Sequence, residues 1–325
     1  MNNGATQGTK WFLVVNPISG SGKGLDDFPL ISKLLRDNGI SCEAVFTEHK
    51  HHATELTVSA ITSGYRHIMV AGGDGTLHEV INGLFIQKCV DTSEVTIAVI
   101  PVGTGNDWIR MYGLPTRYSA VIRAIKEGYT FLQDVAAVEY EESRYRQTRY
   151  MANVAGVGFD AAVIKRGQMM NGNDKKKKGA GFYIRALINT FFRYKPTGVK
   201  IWVNDRLLYN NLLFSLAAGV GKYNGGGIQQ LPQSVADDGL LDITLIKPLH
   251  WWHVIFRLRR FFNGEIYSIG HVQHLQGSKI RIESSPEIDL EIDGELHGGT
   301  PVELRVLHRA VKVIVNKSFI DKLKA

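Results

Sequence analysis

Three glycine-rich stretches, each placed directly after an apolar run, are the residues best suited to chemistry. They cover 16–24, 72–76 and 101–107. Glycine lets a backbone approach a phosphate closely, and a helix that begins at such a loop adds positive potential. Asp74 and Asp107 lie in the second and third loops, where a carboxylate would repel phosphate unless a metal ion or water stood between them. Together the loops predict phosphate chemistry, although any one of them could equally be a plain turn.

Two stretches of the sequence resemble well-known glycine motifs but lack residues that those motifs require. In the first loop, Pro17 and Ile18 occupy the region where a Walker loop needs its first glycine, and Gly24 replaces the Mg²⁺-binding Ser or Thr after Lys23. The stretch 156–161 imitates a dinucleotide fingerprint. We expect no strand–turn–helix unit around it, and a lysine run follows where an isolated acid is needed. Neither motif is therefore predicted to function here.

The chain that positions the loops alternates between strand and helix over its first 134 residues. Strand-like apolar runs stand at 11–15, 42–46, 67–71 and 95–100. Between them lie a helix that Asp26 or Asp27 caps and Asn38-Gly39 ends, and helical patterns at 53–63 and 76–84. This alternation predicts a parallel sheet covered on both faces, and ligands bind in the loops after such strands.

The alternation of strand and helix patterns ends after Asp134. Short strand-like segments are separated by turn residues, which predicts a mainly antiparallel β domain. Two segments interrupt it, a polar basic run at 171–178 and an aromatic basic segment at 251–262. The strand-like segments lie at 200–203, 212–218, 240–245, 279–282 and 302–306.

The composition excludes several classes of protein. Of the 325 residues, 44% are hydrophobic, which is too many for a disordered chain. The 38 basic and 31 acidic residues give a net charge of +7, which favours anionic partners without choosing among them. Two cysteines exclude a disulfide framework and a cysteine-rich zinc site. No apolar run is long enough to span a membrane, and residues 1–10 lack a signal-peptide pattern, so we expect a cytoplasmic protein that is soluble or peripheral to a membrane.

Several motifs, taken together and in order, give the chain a specific resemblance to one family. It resembles the bacterial diacylglycerol kinase family, relatives of the sphingosine kinases whose nucleotide domain is shared with NAD kinases. The resemblance extends over almost the whole chain. The residues that carry it are Asn16-Pro17-x-Ser19-Gly20, Gly72-Gly73-Asp74-Gly75-Thr76 with Glu79-Val80-x-Asn82-Gly83, Pro101-x-Gly103-Thr104-x-Asn106-Asp107, Asn153-x-x-Gly156-x-Gly158-Phe159-Asp160, Asp237-Asp238-Gly239-Leu240-Leu241-Asp242 and Asp293-Gly294-Glu295.

The resemblance implies an α/β protein of two domains. An NAD kinase-like three-layer α/β domain would occupy 10–134 and bind the nucleotide. A mainly β, sandwich-like C-terminal domain would occupy 135–310, and 311–325 would return to pack on the first domain.

The resemblance also implies a role for individual residues. Asp293 would be the base, and Asp74, Asp107 and Asp134 would organise the catalytic Mg²⁺. A structural Mg²⁺ would bind the Asp238 carboxylate and the carbonyls of Val235 and Leu240. The residues implied to hold ATP are Asn16, Pro17, Ile18, Ser19, Gly20, Thr47, Gly72, Gly73, Asp74, Gly75, Thr76, Leu77, His78 and Thr104.

The implied reaction is transfer of the γ-phosphate of ATP to a lipid hydroxyl, in the first instance that of diacylglycerol, giving phosphatidate. His78 stands where bacterial members usually have Asn, a change seen in the sphingosine kinase branch, so a sphingoid-type acceptor remains an alternative. NAD kinase and a non-catalytic lipid- or nucleotide-binding regulator are the others. For Asp293, spacing alone favours a β-hairpin turn, and the resemblance favours the base.

A lipid acceptor implies transient contact with an anionic membrane at its inner face. Tryptophans, phenylalanines and arginines in 251–262 suit an interfacial helix, whereas base rates favour a core-packing one. The run Lys175–Lys178 would meet ATP phosphates or anionic lipid, or would form a solvated charge run. No nucleic-acid partner is expected, and a homodimer is left open.

Overall fold

A computed structural model describes residues 9–103, 105–171, 189–249 and 259–324. They form two compact units. The first ends at Asp134 and resumes at Arg309, and the second covers Val135–His308. Thr104, the lysine run at 175–178 and residues 251–258 of the aromatic segment lie outside the described residues. Within the part of the chain described, no helix is long and apolar enough to cross a membrane.

In the first unit, strands and helices alternate as the sequence predicts. In the second unit, most elements are strands. The main helices are α1 (Lys23–Asp26), α2 (Phe28–Asp37), α3 (His52–Thr62), α4 (Asp74–Ile86), α5 (Asp107–Met111), α6 (Tyr118–Glu127), α7 (Phe159–Asn171) and α8 (Lys317–Lys324). The strands are β1 (Lys10–Val15), β2 (Ser41–Phe46), β3 (His67–Gly72), β4 (Thr96–Pro101), β5 (Thr130–Glu142), β6 (Tyr145–Met151), β7 (Val154–Gly158), β8 (Thr197–Val203), β9 (Arg206–Leu213), β10 (Ser215–Gly219), β11 (Leu241–Ile246), β12 (Val272–Gly277), β13 (Lys279–Ser285), β14 (Asp289–Ile292) and β15 (Glu295–Ile314).

The first unit is a parallel sheet with helices on both faces. Its strands pair in the order β2-β1-β3-β4, and the last residues of β15 add a fifth parallel strand beside β4. α2 packs against α6 and α3 against α4, and β1, β3 and β4 between them are almost wholly buried. The strand order reverses between β1 and β3. Such a reversal opens a crevice at the carboxyl ends of the strands, where ligands bind in sheets of this kind.

The second unit is a sandwich-like arrangement of antiparallel strands. One run pairs β12-β11-β10-β7-β14-β15, and another pairs β15-β13-β8-β9, so β15 belongs to both. Side chains from both runs enter one hydrophobic core. It includes Tyr140, Ile201, Leu216, Leu290 and Leu304. α7 packs against β7, β10 and β14.

The predicted elements of the first unit are confirmed to within about two residues. Asp27 is the N-cap residue of α2, and Asn38 follows the end of that helix. In the second unit, two predictions were wrong. The segment 212–218 is two strands, with Phe214 between β9 and β10. The stretch 156–161 does lie at a strand–helix junction, since α7 follows β7 directly. β7 is antiparallel to both neighbours, however, whereas a dinucleotide unit needs parallel strands.

Candidate active site

Asn16, the first residue after β1, organises the first glycine loop. Its Oδ1 accepts the backbone amide of Ile18 at 3.1 Å, and its Nδ2 donates to Oγ1 of Thr76 at 2.9 Å. Thr76 lies in the first turn of α4, so this bond joins two loops that are 60 residues apart in sequence. A Cβ at Gly24 would stand 1.9 Å from the carbonyl oxygen of Asn16. The loop therefore closes on itself only because residue 24 has no side chain.

The third loop packs on the other two. A Cβ at Gly103 would stand 2.6 Å from Cα of Gly73, and a Cβ at Gly20 would stand 2.3 Å from the carbonyl oxygen of Val102. Gly20 also has φ +62°, in the left-handed region that favours glycine. The amide of Val102 donates to the carbonyl of Gly72 at 3.0 Å. The three predicted loops thus form one contiguous backbone surface at the carboxyl ends of β1, β3 and β4.

Asp74 and Asp107 bring two carboxylates to this surface. Asp74 is the first residue of α4, and it accepts the amides of Asp107 at Oδ2 (3.0 Å) and of Trp108 at Oδ1 (3.3 Å). The Oδ2 atoms of Asp74 and Asp107 lie 3.3 and 4.0 Å from the position of a Cβ at Gly105. Arg110 Nε lies 3.5 Å from Oδ1 of Asp107. Paired carboxylates suit Mg²⁺, which binds one or two carboxylates together with phosphates and water.

The other residues implied to hold ATP differ in their burial. Pro17, Ser19 and Gly75 are half-buried at the loop surface, and Ile18 is exposed. Leu77 and His78 are buried in α4. His78 Nε2 lies 3.2 Å from Nδ2 of Asn82 one turn later, and the Leu77 amide donates to the carbonyl of Gly73. Thr47 follows β2, and its amide donates to the carbonyl of Val15 at 2.8 Å.

Asp134 lies on β5 in the first unit and is fully buried. Its Oδ1 accepts the backbone amide of Arg309 at 2.6 Å, which ties β5 to the last strand where the chain re-enters this unit. A carboxylate thus lies in the interior of the unit that carries Asp74 and Asp107.

Asp293 lies in the second unit, in the two-residue turn between β14 and β15. Asp293 and Gly294 have φ +50° and +86°, so the predicted hairpin turn is confirmed. Asp293 is 9% exposed, and its carboxylate accepts three backbone amides. Oδ2 accepts Ala152 at 3.0 Å, and Oδ1 accepts Asn153 at 2.9 Å and Val154 at 3.2 Å. Its role as a base stays a prediction.

The residues implied to form a structural metal site lie in a tight exposed turn. Asp238 Oδ1 accepts the amide of Leu240 at 2.9 Å, and Gly239 between them has φ +77°. Val235 and Asp238 are exposed. A turn of this kind can offer a carboxylate and carbonyl oxygens to a cation, and the metal stays a prediction.

Two acids of the second unit, the buried Glu291 and the half-buried Asp160, were missed as site residues. Glu291 and Asp160 lie close to each other and to the Asp293 turn. Asp160 ends one of the motifs quoted above. Glu291 carries no signal, because an acid between Leu290 and Ile292 is typical of a strand with one solvated face.

The comparisons with known proteins agree on the class. A family model described as the diacylglycerol kinase catalytic domain matches residues 10–138, and one described as the YegS C-terminal NAD kinase beta sandwich-like domain matches 153–315. A diacylglycerol kinase of Mycobacterium tuberculosis is 25% identical over 302 residues, 93% of each chain. A solved Bacillus anthracis structure described as a candidate diacylglycerol kinase has a TM-score of 0.77 at 25% identity, over 98% of this chain and 99% of that one. An ATP-bound NAD kinase of Archaeoglobus fulgidus, 13% identical with a TM-score of 0.50 over 97% of each chain, shares the fold alone.

These matches define the protein as an enzyme of the lipid kinase class. The chain belongs to the diacylglycerol kinase family, with a catalytic domain followed by the YegS-type C-terminal domain. The predicted family, the predicted fold class and the predicted phosphotransferase class are confirmed. Use of ATP follows from membership of a kinase family.

Proposed function

We propose that the protein transfers the γ-phosphate of ATP to the hydroxyl of diacylglycerol and so makes phosphatidate, with Mg²⁺ as cofactor. Residues 10–134 would bind the nucleotide, 135–310 would supply the acceptor side and the base, and 311–325 would complete the first domain. The observation that carries the proposal is the contact of three glycine loops at the reversal of strand order, beside the carboxylates of Asp74 and Asp107. The names of the relatives support the choice of acceptor.

The nucleotide phosphates would lie on the backbone of the loops. α4 begins at Asp74, directly after Gly72 and Gly73, so its N-terminal amides and positive dipole end lie at this surface. Gly73 and Gly103 pack against each other and carry no side chains that would shield the loop backbone from a phosphate. Asp74 and Asp107 would hold Mg²⁺, which when bound neutralises phosphate charge. Asp134 would support them from the interior.

The acceptor hydroxyl must lose its proton as its oxygen bonds to the γ-phosphorus and the bond to ADP breaks. We assign Asp293 as the group that accepts this proton. Three amides, those of residues 152–154, hold its carboxylate in one orientation, as a positioned base requires. A structural Mg²⁺ at Val235, Asp238 and Leu240 would stabilise the second unit.

The lipid would be taken from a membrane by transient contact with anionic headgroups. At the described end of the aromatic segment, Arg259 is exposed and Phe262 is 48% exposed. A guanidinium beside an exposed ring suits a headgroup interface. Binding to anionic vesicles should weaken as salt rises. The double variant Arg259→Gln, Phe262→Ser should bind less, and equal binding by wild type and variant would exclude this end of the segment as the contact.

The decisive experiment incubates the purified protein with Mg²⁺-ATP and a panel of acceptors, with mass spectrometry of the products. We expect phosphatidate from diacylglycerol and little product from sphingosine, monoacylglycerol or NAD. Preferential phosphorylation of sphingosine would replace diacylglycerol by a sphingoid acceptor, the alternative that His78 raises. Phosphorylation of NAD would show that the protein is an NAD kinase instead. Absence of any product, with ATP still bound, would favour a non-catalytic regulator.

A further inference from the structure

A polar cluster lies buried in the second unit behind the Asp293 turn. At its centre is Glu291, two residues before Asp293 on β14 and fully buried. Its Oε2 accepts the amide of Gly294 at 2.9 Å, and its Oε1 accepts Nδ2 of Asn224 at 3.1 Å. Glu291 therefore joins the turn that carries Asp293 to the loop that carries Asn224.

Asp160, in the first turn of α7, is the second acid of the cluster. Its Oδ2 accepts Nε2 of Gln230 at 2.7 Å, and Oε1 of Gln230 accepts Nδ2 of Asn224 at 3.0 Å. A Cβ at Gly156 would stand 2.8 Å from Oε1 of Glu291 and 3.2 Å from Cβ of Asp160. The two acids thus flank one glycine of β7, and a bonded pair of side-chain amides joins them, Asn224 on Glu291 and Gln230 on Asp160.

No positive charge among the described residues balances Glu291. The acids that face it are Asp160 from α7 and Asp293 from its own turn. Asp289, two residues earlier on β14, is 40% exposed at its side chain and pairs with Lys165 of α7 at 2.8 Å. The Lys165 ammonium is therefore already engaged at the surface end of the strand.

The surroundings make the neutral form of Glu291 the stable one. Burial, assisted by the charges of Asp160 and Asp293, raises the pKa of Glu291 to about 8. Burial also raises the pKa of Asp160 to about 6 and that of Tyr194, whose phenol faces Asp160, to about 12. At pH 7 Glu291 and Tyr194 are therefore mainly protonated.

We propose that Glu291 is a positioning residue for Asp293 and that it acts in its protonated form. The inference rests on the proposed role of Asp293 in phosphoryl transfer. A neutral Glu291 holds the Gly294 amide, and with it the turn, without a further negative charge beside Asp293. When Glu291 gives its proton to solvent at alkaline pH, an unbalanced carboxylate lies between Asp160 and Asp293, and repulsion displaces the turn. The kcat then falls, while the KM for ATP, which binds in the first unit, does not change.

Three variants test this. Glu291→Gln is neutral at every pH. It keeps an acceptor for the Gly294 amide and loses only the hydrogen bond from Asn224, whose amide stays bound to Gly225 and Gln230. Glu291→Leu removes the bond to the turn. Asp289→Asn is the matched control, because it removes a carboxylate from the same strand at the exposed end.

The measurement is kcat as a function of pH between 6 and 9.5. Wild type and Asp289→Asn should lose activity on the alkaline side. Glu291→Gln should stay within about threefold of wild type at pH 7 and keep its activity at pH 9, and Glu291→Leu should have a kcat about 10- to 100-fold lower with an unchanged KM for ATP. An alkaline loss of the same shape in wild type and Glu291→Gln would overturn the proposal. So would a folded Glu291→Gln as inactive as Glu291→Leu.

Urea unfolding separates this inference from the proposed function. A group protonated in the folded chain and ionised in the unfolded chain makes unfolding release a proton between its ordinary pKa of 4.5 and about 8. Wild type should therefore lose stability relative to Glu291→Gln as the pH rises through this window. Parallel curves would overturn the neutral form of Glu291 even in an active enzyme. If the curves diverge but no acceptor is phosphorylated, the proposed function fails and the positioning role fails with it.

Discussion

Replacement of Asp293 by Asn is expected to destabilise the second unit as well as remove a base. The variant keeps the shape of the side chain, and Asn adopts the left-handed φ of +50° as readily as Asp does, so the backbone turn adds no strain. What changes is the match to the three amides. The Asn oxygen can accept from Asn153 and Val154, as Oδ1 of Asp293 does, but its NH₂ group then faces the amide of Ala152.

The size of the effect follows from those contacts. One charge-assisted hydrogen bond is lost and one buried amide faces another donor, and each of these costs about 1–3 kcal/mol. Burial of a neutral amide is less costly than burial of a carboxylate and offsets part of the loss. We expect a net decrease of about 2–4 kcal/mol in the free energy of unfolding. For a unit of this size that is a fall of roughly 5–15 °C in Tm.

Urea and thermal unfolding at pH 7, followed by circular dichroism, measure this directly. Asp289→Asn is the control. Its carboxylate is exposed and pairs with Lys165, and such surface pairs contribute no more than about 1 kcal/mol. If Asp293→Asn unfolded at the same urea concentration and temperature as Asp289→Asn, the expected destabilisation would be wrong. The three amides would then contribute no net stability. Kinase activity of the variant should be assayed well below its own midpoint, so that loss of the base is not confused with loss of the fold.

Three further outcomes follow from the geometry. Gly24→Ala places a Cβ against the carbonyl of Asn16 and should weaken ATP binding at least about tenfold by calorimetry, whereas Gly270→Ala, with open space around it, should bind as wild type does. Asp74→Asn should lower kcat at least about 100-fold in an ADP-release assay, since it removes a carboxylate proposed to hold Mg²⁺, and unchanged turnover would exclude that role. Asp238→Ala should abolish the rise of Tm with Mg²⁺ concentration, and a wild-type response would count against the structural metal.

The first unit could be predicted from sequence because its signals are local. A strand buried on both faces reads as an unbroken apolar run, as at β4, and a glycine is required wherever two backbones touch, as at Gly73 and Gly103. The pairing of those loops could not be predicted. The hydrogen bond from Asn16 to Thr76 depends on the order of strands in the sheet, and neither loop sequence predicts that order.

The second unit was harder to predict from sequence, because contacts between elements far apart in the chain decide which residues are buried. Glu291 alternates with apolar neighbours, a pattern typical of a strand with a solvated face, yet α7 packs over β14 and buries it. Prediction of that helix fails for a local reason. Phe159 and Asp160 follow the apolar strand β7 directly, with Gly158 as the one turn residue between strand and helix. The start of α7 therefore has no capping signal in the sequence.

The first unit is assembled from two separate pieces of chain, and this bears on how the protein is made. Lys312 and Val313 pair with β4, and the Phe319 ring packs against those of Tyr112 and Phe131. Roughly 175 residues separate Asp134 from Arg309. At about 5–20 residues per second, a ribosome needs on the order of 10–35 s to synthesise the intervening unit. During that time β4 is an uncovered edge strand, a template for association with other nascent chains. The first unit is thus the first to be synthesised and the last to be completed.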